Sequence, residues 1–170
     1  MSHRERFVVR RARPEDLDRL VTFNAAMALE TEGRTLDPQV LRRGILAVLE
    51  SPGRGFYLVT ESPEGADQAV IGQLMITYEW SDWRNAAFWW IQSVYVDPPW
   101  RRRGVYRRMH EEVLEQARAR DDVCGVRLYV EAGNTTAQTV YKRVGLSHSS
   151  YWVFEEDFVL AKRPTRPQGE

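Results

Sequence analysis

A chain of 170 residues, 43% of them apolar, is long enough for one domain with a real core. Its 24 basic and 24 acidic side chains give a net charge of zero, which argues against a dedicated nucleic-acid binder. Cys124 is the only cysteine, which excludes an internal disulfide, and with three histidines it falls short of an ordinary structural zinc site. The first residues lack the apolar stretch of a secretion signal, and no apolar run is long enough to span a bilayer. The expected setting is the cytoplasm, with no membrane partner, no nucleic acid and no metal.

Residues 7–9 read as a first strand, and Pro14 with Glu15 and Asp16 marks a helix entry suited to the helix dipole. Leu17, Leu20, Val21, Asn24 and Met27 carry that helix to about residue 30. Asp37 and Pro38 are an N-cap and first-turn proline for a second helix, with Leu41, Ile45, Val48 and Leu49 on its apolar stripe. Strands are expected at 56–60, 69–80 and 87–96, with a turn at 62–67 and a polar, aromatic loop at 81–85. A helix from the arginine run to about residue 120, a strand at 126–130 and a short helix at 135–144 stopped by Gly145 follow. Late strands at 150–154 and 158–161 complete the order β α α β β β α β α β β, with one domain over 1–163 and a loose tail at 164–170. That order implies a mixed α/β (α+β) fold, its sheet covered by helices on both faces.

The most informative stretch is 91–106. A buried strand passes through a proline-broken turn into Arg101, Arg102, Arg103 and Gly104, and then into a helix. A basic, glycine-containing loop at a helix N-terminus suits an anionic phosphate group, because backbone N–H groups, helix dipole and guanidinium charge all favour it. Arg101 to Tyr106 follow a Gln/Arg-x-x-Gly-x-Gly/Ala pattern, departing from it at Tyr106. Asn134, Ala137, Tyr141, Gly145 and Leu146 follow Asn-x-x-Ala-x-x-x-Tyr-x-x-x-Gly-Phe/Leu. Each pattern alone is weak. Together, in this order and each at the start of a helix, they resemble the GNAT superfamily of acyl-CoA N-acyltransferases. The opening residues 10–16 also look like that family's first strand and helix entry, so the resemblance covers nearly the whole chain.

The resemblance implies a mixed, mostly antiparallel sheet splayed at the cofactor site. It implies acetyl-CoA as co-substrate, no metal, and direct transfer to the primary amine of a small molecule. Backbone groups at Val94, Tyr95 and Val96 would hold the pantetheine and polarise the thioester. Arg101, Arg102, Arg103, Gly104, Val105 and Tyr106 would hold the pyrophosphate, with Arg102, Arg107 and Arg108 individually read as solvated charges. Asn134 and Ala137 belong to the cofactor side, although an asparagine there also serves as a helix cap. Tyr141 would protonate the leaving thiolate, for which a phenol of ordinary pKa near ~10 is well matched. The amine must lose a proton, and Glu79, Asp82, Glu131 or a water held by one of them are the candidates.

For the acceptor, the family's loops correspond to residues 30–35, 80–85 and 148–152. They carry Glu30, Glu32, Glu79 and Asp82 among Trp80, Trp83, Tyr151 and Trp152, and Ser93 lies close by on the central strand. Acids with aromatic faces suit a cationic amine, such as a polyamine, an amino acid or an aminoglycoside-like molecule. Three alternatives stay open: a non-catalytic acyl-CoA-binding module, a protein N-acetyltransferase, and a nucleic-acid binder using the arginine run. The tryptophans and late strands leave a homodimer open.

Overall fold

The structure is a computed structural model that describes residues 7–63 and 69–159. Five strands form one sheet in the order β1-β2-β3-β4-β5. They are β1 (Val8–Arg11), β2 (Phe56–Glu61), β3 (Val70–Ser81), β4 (Ala86–Val96) and β5 (Val123–Arg127). The first four pair antiparallel, β1 and β2 across the two helices that separate them in sequence. β4 and β5 run parallel, as a helical crossover between them requires. The helices are α1 (Leu17–Glu32), α2 (Pro38–Glu50), α3 (Val105–Arg118) and α4 (Thr135–Arg143). No helix among the described residues is long and apolar enough to cross a membrane.

Local signals set most of these boundaries. A 3₁₀ turn over Pro14–Asp16 leads into α1. The Asp16 carboxylate accepts from Arg10 Nη1 and Nη2 at 2.7 and 3.1 Å and from the Arg13 amide at 2.7 Å, tying α1 to β1. Asp37 Oδ1 accepts from the Gln39 and Val40 amides at 2.8 and 3.0 Å, with Pro38 as the first residue of α2. Both apolar faces of the sheet are covered. Tyr57 and Val59 join Leu17, Leu20 and Ile45 under α1 and α2. Phe56, Leu58, Leu74 and Ile76 join Val105, Met109 and Val113 under α3. The side chains alternate along β2, so each helical layer takes every second residue.

Two expectations are corrected. The fifth strand spans Val123–Arg127 rather than 126–130, because its pairing with β4 begins at Ala87↔Val123 and ends at Trp90↔Arg127. The late strand at 150–154 is absent from the described residues, where Trp152 and Phe154 are 85% and 94% exposed. An apolar, alternating run becomes a strand only when a neighbour accepts its backbone hydrogen bonds. The second late strand begins in irregular chain at Phe158 and Val159, and its remainder, the tail at 164–170 and most of the turn at 62–67 lie outside the described residues.

Candidate active site

The site grows from an irregularity in β4. Gln73 pairs with Tyr95 and Met75 with Gln92, so two steps along β3 oppose three along β4. The extra residue is a β-bulge at Ser93, whose φ of 51° lies in the left-handed region that costs a non-glycine residue about 1 kcal/mol. Gln73 Nε2 donates to the Ser93 carbonyl at 3.2 Å and helps to hold it. The bulge inverts the side-chain phase of the strand. Trp89 and Ile91 face α3, and beyond the bulge Val94 and Val96 do so while Tyr95 turns to Phe23 of α1, with ring centroids 5.0 Å apart.

The same segment has a free edge. The parallel ladder to β5 stops at Trp90, six residues before β4 ends. The Asp97 amide donates to the Ile71 carbonyl at 2.9 Å, which makes Gln73 and Tyr95 the next hydrogen-bonded pair. By alternation the backbone groups of Val94 and Val96 turn to the opposite edge, where β5 no longer runs. Arg101 Nε accordingly reaches the Val96 carbonyl at 2.9 Å.

The loop after β4 is fixed at its root by Arg19, which donates to Asp97 at 2.7 Å and to the Val70 carbonyl at 3.0 Å. A 3₁₀ turn over Pro98–Trp100 then gives way to Arg102 at φ 63° and Gly104 at φ 92°. Gly104 is the N-cap of α3. Among the described residues no side chain caps this terminus, and its first turn carries no acid. The first amides of α3 therefore have no side-chain acceptor among the described residues. Arg103 lies 4.8 Å over the Trp100 ring. Arg107 and Arg108 pair with Glu111 and Glu112 one turn along α3.

α4 brings Tyr141 against α3. Asn134 Oδ1 accepts from the Ala137 amide at 3.0 Å, so this asparagine caps α4. The Tyr141 ring meets Tyr106 edge-on at 5.6 Å, and burial raises its phenol above the ordinary value. Tyr106, where the resemblance places a small residue, puts its ring between α3 and α4, 5.9 Å from the His110 ring. Its buried hydroxyl has no partner among the described residues, and burial lifts its pKa far above the ordinary value.

His110 is 2% exposed, and neither ring nitrogen has a hydrogen-bond partner among the described residues. Burial lowers its pKa from the ordinary 6.5. The unfolded chain therefore takes up a proton at higher pH than the folded one, and stability should be full above about pH 6.5 and fall below it. The slope is at most roughly 1.4 kcal/mol per pH unit. Urea titrations between pH 7 and 5 should show this loss, and His110→Phe should flatten it.

The sheet face opposite α3 carries a row of polar and aromatic side chains running away from the bulge. Gln92 Nε2 donates to Thr77 Oγ1, and Trp90 Nε1 donates to Glu79. Arg127 Nη1 donates to Glu79 at 2.9 Å and lies 3.6 Å over the Phe88 ring. Tyr129 meets Trp90 at 5.7 Å. The row ends in an open pocket of about 290 Å³ lined by Glu79, Trp80, Asp82, Trp83, Arg127 and Tyr151, among others.

Of the expected substrate-side residues, Glu79, Trp80, Asp82, Trp83 and Tyr151 line this pocket, while Glu30, Glu32 and Ser93 lie elsewhere. At a rise of about 3.3 Å per residue, on the order of 25 Å of strand separates Ala86 from Val94, and Asp82 lies beyond Ala86 at the hairpin tip. Glu79 is nearer, through its bond to Trp90. Trp80 and Trp83 are exposed near the tip, and Glu32 pairs with Arg34 at 3.7 Å. Glu30 accepts from both Tyr95 and Arg101. Arg127, Trp90, Gln92 and Tyr129 did not emerge from the sequence. A period of two along β4 groups Phe88, Trp90 and Gln92, yet it does not say which face stays open.

The chain is similar to a possible acetyltransferase from Clostridium difficile 630, at 38% identity over 91% of this chain and 99% of that one, with a TM-score of 0.82. It shares the fold of a predicted acetyltransferase from Clostridium acetobutylicum solved with acetyl-CoA, at 18% identity, 89% and 96% coverage and a TM-score of 0.71. It also shares the fold of an aminoglycoside N-acetyltransferase in complex with CoA, at 13% identity, 90% and 95% coverage and a TM-score of 0.69. No curated protein matches the chain significantly. The acetyltransferase (GNAT) family profile matches residues 20–146. The chain belongs to the GNAT acetyltransferase family and is an acetyl-CoA-dependent acyltransferase.

Proposed function

We propose that this enzyme transfers the acetyl group of acetyl-CoA to a primary amine of a small molecule by direct attack, with both substrates bound together. The observation that carries the reading is the unpaired edge of β4 at Val94 and Val96, which runs into the uncapped start of α3. Backbone groups on that edge bond the pantetheine amides and polarise the thioester carbonyl. The α3 amides, Arg101 and Arg103 hold the pyrophosphate. The amine nitrogen forms the new C–N bond as the C–S bond breaks. Tyr141 gives its proton to the departing sulfur, and Glu79, through water, takes the proton that the amine loses. Asp82, at the hairpin tip, lies too far along the sheet from Val94 to take that proton.

The acceptor reading rests on acids set among aromatic rings. The acceptor is proposed to be a cationic amine of the polyamine, amino-acid or aminoglycoside kind. Release of CoA thiol from acetyl-CoA across a panel of cationic, neutral and anionic amines tests it. Turnover highest with the cationic members is expected, and highest turnover with anionic amines sinks the acceptor class. A protein that neither binds CoA nor releases thiol with any member sinks the catalytic reading.

A further inference from the structure

Glu30 bridges β4 and the loop that follows it. It stands in the last turn of α1, and both of its oxygens are engaged. Oε1 accepts from the Tyr95 hydroxyl at 2.8 Å, and Oε2 accepts from Arg101 Nη2 at 2.7 Å. Burial pushes this carboxyl up, but the bonds from Arg101 and Tyr95 outweigh that and hold it below the usual carboxylate range. Arg101 also donates Nε to the Val96 carbonyl and lies 5.2 Å from the Tyr95 ring centroid. Arg107 and Arg108, on α3, pair within their own helix. The Arg101–Glu30 pair instead spans 71 positions and ties the loop to α1.

The geometry of the guanidinium gives this pair a consequence. Nε and Nη2 form the side-on fork by which an arginine grips a phosphate or carboxylate with two parallel bonds. Here that fork is divided between the Val96 carbonyl and Glu30. A phosphate oxygen pair that takes the fork must displace both, freeing one Glu30 oxygen and the outward carbonyl of Val96 together. Glu30 would keep Tyr95 as its donor and so remain in place.

We propose that Glu30 couples the two binding sites. In the free enzyme it holds Arg101 back. Once the diphosphate of the acyl donor takes Arg101, the released oxygen of Glu30 receives the cationic group of the acceptor. This rests on the acetyl-CoA reading of the site.

The test titrates CoA into the wild type, Glu30→Gln, Arg101→Gln and the double variant by calorimetry, with circular dichroism to confirm folding. Both partners of the pair are partly exposed, so its removal should tighten CoA binding by a factor of about 2–5. Arg101→Gln should weaken binding, and Glu30→Gln should have no further effect in that background. Equal or weaker CoA binding by Glu30→Gln, or the same gain without Arg101, overturns the coupling alone. Absence of CoA binding by the wild type overturns the acetyl-CoA reading and the coupling with it.

Discussion

Tyr141→Phe should lower kcat by about 10²-fold while leaving CoA affinity within about twofold of the wild type. The phenyl ring keeps the edge-on contact with Tyr106, so packing between α3 and α4 survives. What is lost is the proton donor. Burial raises the Tyr141 phenol above its ordinary value. As an acid it must be protonated to act, so its titration should place the basic limb of the kcat profile on the alkaline side of an ordinary phenol's. Steady-state thiol release paired with CoA calorimetry separates the two effects. Unchanged kcat would remove Tyr141 from the mechanism, and lost CoA affinity would make it a binding residue instead.

The second large effect falls on the sheet. Gly55 enters β2 with φ of 146°, and a Cβ there would lie 2.0 Å from the Ile76 carbonyl oxygen and 3.1 Å from its carbon. Those atoms are backbone in the ladder that pairs Phe56 with Ile76, and they cannot retreat without opening the β2–β3 register. Gly55→Ala should therefore destabilise the fold by about 4 kcal/mol, read from the urea midpoint. Gly44 supplies the contrast. It lies inside α2, and a methyl group added there would meet nothing within 4 Å, so Gly44→Ala should stabilise by about 0.5–1 kcal/mol. Similar effects at both positions would show that the Ile76 contact is not what constrains Gly55.

The arginine loop was legible because its requirement is local. A turn that enters a helix with a left-handed N-cap needs a glycine at that point, and Gly104 at φ 92° supplies it right after the arginines. The cap at Asp37 and the cap at Asn134 were legible for the same reason, since each bonds amides two or three residues on. Ser93 was not legible as a bulge. The run Ile91, Gln92, Ser93, Val94, Tyr95 reads as ordinary strand, and only its pairing with β3 reveals the extra residue. The bond between Glu30 and Arg101 was not legible either, because the two residues lie 71 positions apart.

By itself, then, the sequence determined what short-range chemistry determines. It set the helices through spacing and caps, the hairpin strands through apolar runs and turns, the anion-ready start of α3, and a tyrosine at a fixed offset from the α4 cap. Tertiary structure decided the rest. It ended the β4–β5 ladder at Trp90, left the late apolar run without a strand partner, turned Tyr106 between two helices, and gave Glu30 to Arg101. The physical reason is common to all four. Each outcome depends on which distant backbone edge or side chain supplies a hydrogen bond or a packing surface, and no local pattern encodes the identity of that partner.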